Sequence, residues 1–192
     1  MAAATQIPGL MTVDEFLRWN SPEGYRWQLV DGVPTAMSPP APLHGVIQDE
    51  IGRLIGNHLV DLGSPRRAIS TPGVVPGFQP DRNFMVPDLA VTCSLRDMTG
   101  KAVHEPVLLI EILSPSNHAG TWRNVWAYIT MPSLREILVI RTASVGVDLL
   151  RRGEDGMWPD KPLAITGGEF TLASIGLTLP IAALYRGTGL TA

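Results

Sequence analysis

The sequence predicts one α/β domain (α+β in its looser sense), with buried strands sheltered between helices and a strand-rich C-terminal tail. Three observations carry that prediction. The stretch from Val107 to Leu113 is apolar but for one acid, has strand length and ends in Ser114-Pro115-Ser116, as a strand buried on both faces does. A second apolar stretch, Phe84 to Val91, has the same character. Between them in kind but not in period, Val46, Ile47, Ile51, Leu54, Ile55, Leu59 and Leu62 recur at helical spacing and define one face of a long helix.

Bulk properties narrow the class. A chain of 192 residues can enclose one full hydrophobic core, and a hydrophobic share of 45% excludes a disordered protein. No apolar stretch approaches the roughly 18 residues of a membrane helix. The start, Met1 to Pro8, lacks the basic-then-apolar pattern of a secretory signal. The single Cys93 cannot form an internal disulfide, and in its strand-like setting it reads as a small buried hydrophobe. Together these predict a cytoplasmic protein with no membrane association. A net charge of −3 gives no general pull toward nucleic acid, so any such role must rest on a local site. Arg66-Arg67 and Arg151-Arg152, the only basic pairs, read as solvated surface.

Taken in order, residues 1–11 form an arm, 12–186 a single domain and 187–192 a tail. Thr12-Val13-Asp14-Glu15 is a capping box opening a short helix to about Asn20. Tyr25 to Val30 and Val33 to Met37 are strands around Asp31-Gly32, a strong hairpin signal. Ser38 to Pro42 stiffens the entry to the long helix, which Gly63 and Pro65 end; His44 lies in its first turn, and His58, near its end, is given no role. Short strands follow at 66–71 and 73–75, and loops at 79–83 and 94–105 bracket the Phe84 stretch. A helix is expected from about Thr121 to Thr130, strands at 134–141 and 144–151, a turn at Gly153 to Gly156, and a short helix near Ile181 to Tyr185.

The chemistry lies in two lone acids. Glu111 interrupts one apolar strand and Asp88 the other. A carboxylate buried without a partner is costly, so each needs a metal, a cation or a proton. Two such strands directing acids to one end of a sheet would make a site for a hard divalent cation. The alternative is structural: each acid meets an arginine, Arg26 or Arg123 in the case of Glu111.

Several motifs in fixed order add a resemblance. Leu29-Val30-Asp31-Gly32, Met37-Ser38-Pro39-Pro40 with His44 behind it, Pro87-Asp88-Leu89, Glu111-Ile112-Leu113-Ser114-Pro115-Ser116 and Pro132-Ser133-Leu134-Arg135-Glu136 resemble the Uma-type restriction-endonuclease family of the PD-(D/E)XK nuclease superfamily. The resemblance runs from about Met11 to Arg186. It implies a restriction-endonuclease-like core, a central mixed sheet flanked by helices, and Mg²⁺-dependent (or Mn²⁺-dependent) hydrolysis of nucleic-acid phosphodiesters, DNA first among them. It also implies Asp88 and Glu111 as metal ligands and His44 as a site residue. A homodimer is expected, from apolar tail strands and from Trp122 and Trp158, which look exposed.

Four positions depart from the family pattern. Gln28 stands where relatives carry glutamate, and Val33 replaces a second one. In the helix after Ser116, Gly120 falls at an acid and Asn124 at the catalytic lysine. Arg123 is adjacent, but one helical step turns a side chain about 100° away. Gln28 can coordinate through its oxygen without adding charge, and Asn124 supplies no cation. The implied site is Asp88, Glu111, Gln28, His44, Asn124 and Arg123. Two functions are expected: a metal-dependent endonuclease with a degenerate site, or an inactive nuclease-fold protein that binds nucleic acid or a protein partner.

Overall fold

The Asp31-Gly32 turn folds as its sequence demands. Both residues take positive φ, 49° and 80°, as a two-residue hairpin turn requires, and Asn83 Oδ1 accepts the Asp31 N–H at 2.9 Å. The turn joins β1 (Arg26–Val30) to β2 (Val33–Met37) in an antiparallel pair. This computed structural model describes residues 9–93 and 100–191. Most of the expected arm and half of the 94–105 loop lie outside them. Of the arm, Met11 is fastened, donating its N–H to Gly32 O.

Helix α1 (Val13–Arg18) begins with the expected capping box between Thr12 and Glu15. Helix α2 (Pro42–Asp61) enters on Pro42, and its buried stripe is Ile47, Ile51, Ile55 and Leu59. Val46 and Leu62, counted in the predicted apolar face, are exposed, because a four-residue spacing carries the stripe along one line only.

A six-stranded sheet follows: β3 (Arg67–Ser70), β4 (Leu89–Thr92), β5 (Pro106–Leu113), β6 (Glu136–Arg141), β7 (Val147–Arg151) and β8 (Leu163–Ile165), in spatial order 3-4-5-6-7-8. Only β5 and β6 are parallel, so the sheet is mixed, and the connection between them is the crossover that a parallel pair requires. That crossover is a 3₁₀ turn, Pro115–Asn117, running into α3 (His118–Tyr128). The helix starts three residues before the predicted Thr121, since Pro115 can open a turn and nothing at His118 or Ala119 breaks it. The tail forms the hairpin β9 (Glu169–Leu172) and β10 (Leu177–Pro180), then α4 (Ile181–Leu184).

Alternation along β5 divides the core. Leu108, Ile110 and Ile112 pack with the α2 stripe and the C-terminal hairpin, while Leu109 packs with Val125 and Tyr128 of α3. Three expectations change here. The Phe84 stretch is not one strand: Phe84 and Met85 make isolated bridges to Leu29 and Val74, Pro87 offers no N–H, and β4 begins only at Leu89. Cys93 is exposed, because it follows the last residue of β4 at a register shift where the chain leaves the sheet. Trp122 and Trp158 are half-buried against the α3-side core; the exposed tryptophan is Trp126.

Candidate functional site

The two acids meet across β4 and β5. Leu89 pairs with Ile110 in the antiparallel register, so the next pair outward is Asp88 with Glu111, and directly opposed residues share a sheet face. Asp88 sits one residue before β4 and is fixed from several sides. Its Oδ2 accepts the Ile112 N–H at 2.7 Å, and its Oδ1 lies 2.8 Å from His44 Nε2. Its backbone carbonyl accepts the Thr71 N–H at 2.9 Å and the Gln48 amide at 2.8 Å. His44 and Gln48 stand one turn apart on α2, so one helix face holds both ends of the aspartate.

Glu111 is held differently. It is 7% exposed, and its Oε1 accepts the Tyr128 hydroxyl at 2.7 Å. Burial first, and then the charge of Asp88, push its carboxyl well above the usual range; hydrogen bonds from Tyr128 and Asn124 pull the other way. The same burial, and next the Glu111 charge, push the Tyr128 phenol up. Neither Arg26 nor Arg123 pairs with Glu111 among the described residues, so the structural ion pair considered from sequence does not form.

Helix α3 turns Thr121, Asn124, Val125 and Tyr128 inward. The Asn124 amide nitrogen reaches Gln28 Oε1 at 3.3 Å, and both residues are buried. Among the described residues Asn124 Oδ1 has no hydrogen-bond partner, an uncommon state for a buried polar atom. Arg123 is exposed on the other side of α3, beside Trp126, Val30 and Asp31. Thus Gln28, His44, Asp88, Glu111 and Asn124 are linked through one another or through Tyr128, and Arg123 lies outside that network. Sequence reading missed Tyr128 and Gln48. The four-residue step from Asn124 to Tyr128 was available as a signal.

Among the described residues, no group of three His, Cys, Asp or Glu side chains is arranged to hold a metal ion. The donors nonetheless fit a hard cation in kind. Two opposed carboxylates, the Gln28 oxygen and the Asn124 oxygen are all of the oxygen type, and among the described residues no cationic side chain pairs with Glu111.

The fold is thus a mixed sheet with a helix on each face. It matches the crystal structure of a "putative nuclease belonging to DUF820" from Anabaena variabilis at a TM-score of 0.74, over 91% of this chain and 97% of that one, at 21% identity. The chain belongs to the Uma2 family, described as "putative restriction endonuclease", whose model matches residues 13–182. It is also 28% identical over 186 residues, 92% of each chain, to an uncharacterized protein of Synechocystis sp.. Among the described residues no helix is long and apolar enough to cross a membrane.

Proposed function

We propose that this protein is a weakened metal-dependent endonuclease: Asp88 and Glu111 hold one divalent cation, Mg²⁺ or Mn²⁺, against a nucleic-acid phosphodiester, DNA in the first instance. The observation that carries the reading is the opposition of Asp88 and Glu111, with no arginine or lysine among the described residues closing the buried glutamate. When bound, such a cation polarises the phosphate and lowers the pKa of an attacking water. The chain's own groups prepare that site. His44 and the Ile112 N–H fix the Asp88 carboxylate, and Tyr128 orients that of Glu111. Gln28 and Asn124 contribute neutral oxygens, so the site has two formal negative charges and no transition-state cation.

That deficit sets the rate. Removing one preorganised charge contact typically costs on the order of 10²–10³ in rate. The Asn124–Gln28 hydrogen bond favours a second reading, a site that binds nucleic acid and does not cut, because it ties together the two neutral replacements. Plasmid nicking in Mg²⁺ or Mn²⁺ separates them. The wild type should nick very slowly, Gln28→Glu with Asn124→Lys should gain about 10²-fold or more, and adding Glu111→Ala should erase the gain. Brisk wild-type cleavage would remove the deficit from the account. A doubly substituted protein that binds Mn²⁺ by calorimetry and still does not nick would leave the binding reading standing.

A further inference from the structure

Outside the acid network, a cavity of about 290 Å³ lies between α3, the end of β1 and the loop before Phe84. Val30, Asp31, Phe78, Met85, Arg123 and Trp126 line it. We propose that it is a subsite for one unpaired base of a single-stranded nucleic acid, next to the nucleotide whose phosphate faces Asp88 and Glu111. This rests on nucleic acid being the ligand of the neighbouring site, and it adds the strandedness and the base.

Position supplies the first argument. Gln28 and Val30 lie two residues apart on β1 and so share a face, about 7 Å apart by strand geometry. Gln28 reaches Asn124 at the acid site, and Val30 lines the cavity. On α3, Asn124 serves the first site while Arg123 and Trp126 serve the second. A ligand filling both places would bridge about one nucleotide step.

Chemistry supplies the second. Trp126 is 41% exposed and Phe78 50% exposed, and both line a cavity that is otherwise partly apolar. Aromatic faces beside an arginine are the recurring equipment for stacking a base and holding its phosphate. Arg123 pairs with no carboxylate among the described residues, so its guanidinium is available to a phosphate. The volume is at the small end of ligand pockets, which suits one ring system. A base inside a duplex is stacked on both faces and cannot enter without being extruded.

The rim adds selectivity. The Asp31 backbone N–H is held by Asn83, and its side-chain carboxylate has no partner among the described residues. A free carboxylate accepts from an exocyclic amine, so cytosine should be favoured over thymine.

The test is fluorescence anisotropy of the full chain with labelled dC and dT oligonucleotides and a duplex, at low salt in EDTA. Single strands should bind more tightly than the duplex, and dC more tightly than dT. Trp126→Ala and Phe78→Ala, both at exposed positions, should each weaken single-strand binding about 10-fold. Asp31→Asn should remove the dC preference. Equal or tighter duplex binding, or unchanged affinity in both aromatic variants, would overturn the proposal. So would light scattering that shows the expected homodimer becoming a monomer in Trp126→Ala, since the cavity would then be a contact between copies. Single-strand binding, with no nicking by the Gln28→Glu, Asn124→Lys protein in Mn²⁺, would defeat the nuclease reading and leave this one. Nicking with no single-strand preference would do the reverse.

Discussion

Two buried glutamates stand on adjacent parallel strands, and the protein treats them in opposite ways. Glu136 of β6 is 1% exposed and fully answered: Arg151 Nε approaches at 2.6 Å, and the N–H groups of Ser174 and Ala173 donate at 2.6 and 3.1 Å. Glu111 of β5 is almost as buried, yet it receives a phenol and faces another acid. The first is an internal staple between the sheet and the C-terminal hairpin. The second is a carboxyl that no cationic side chain among the described residues neutralises, which is how a site differs from a core ion pair of similar burial.

The contrast can be broken by mutation. Glu136→Ala should destabilise the protein most, by about 3 kcal/mol, because two N–H groups and a guanidinium lose a charged acceptor at once. A urea midpoint near that of the wild type would show that water replaces the staple. Tyr128→Phe should cost less, about 1–2 kcal/mol, and should push the Glu111 carboxyl still higher, since the phenol holds it down. Direct titration of the Glu111 carboxyl by NMR reads that shift. Glu111→Gln should lie within about 1 kcal/mol of the wild type in EDTA, or above it, because it replaces a carboxyl whose ionised form is costly to bury with a neutral group of the same shape. It should also lose any stabilisation that Mn²⁺ gives the wild type, and a Mn²⁺-dependent rise in melting temperature that survives the substitution would place the cation elsewhere.

The smallest effect is in pH, and its sign is unusual for a carboxylate. A group whose pKa is higher folded than unfolded binds its proton more tightly in the folded state. Its contribution to stability is therefore full below the unfolded value, near 4.5, and is lost as pH rises through the raised folded value. Metal-free protein should lose stability over that window, and Glu111→Gln should flatten the loss. A curve that rises in wild type and variant alike through the same window would mean that Glu111 ionises freely.

Much of this was legible in residue order, for local reasons. The capping box at Thr12 and Glu15, the Asp31-Gly32 turn and the stripe from Ile47 to Leu59 act within a few residues of chain, and each forms as read. Asp88 and Glu111 stood out because a single acid in an apolar stretch is expensive wherever it folds. Partnership was harder to read. Glu136 is answered from 15 and about 38 residues away, Asp88 from 44, and no local pattern encodes those distances. Cys93 was misread because its neighbours are strand formers, and only the place where β4 ends decides its exposure. Arg123 and Trp126 were visible as residues, but not as two walls of one cavity.

The Glu136 staple also has a bearing on the order of events during synthesis. Strand β6 lies in the middle of the sheet, yet the groups that neutralise its glutamate lie at Arg151, Ala173 and Ser174. A nascent chain emerging from the ribosome cannot bury Glu136 at low cost until those residues are also outside. The N-terminal hairpin and α2 can form early. The sheet cannot close strand by strand: Ser174 follows Glu136 by 38 residues, about 2–8 s of elongation at the roughly 5–20 residues per second of translation. The hairpin at 169–180 is thus the clasp that completes the burial of Glu136, and with it the middle of the sheet.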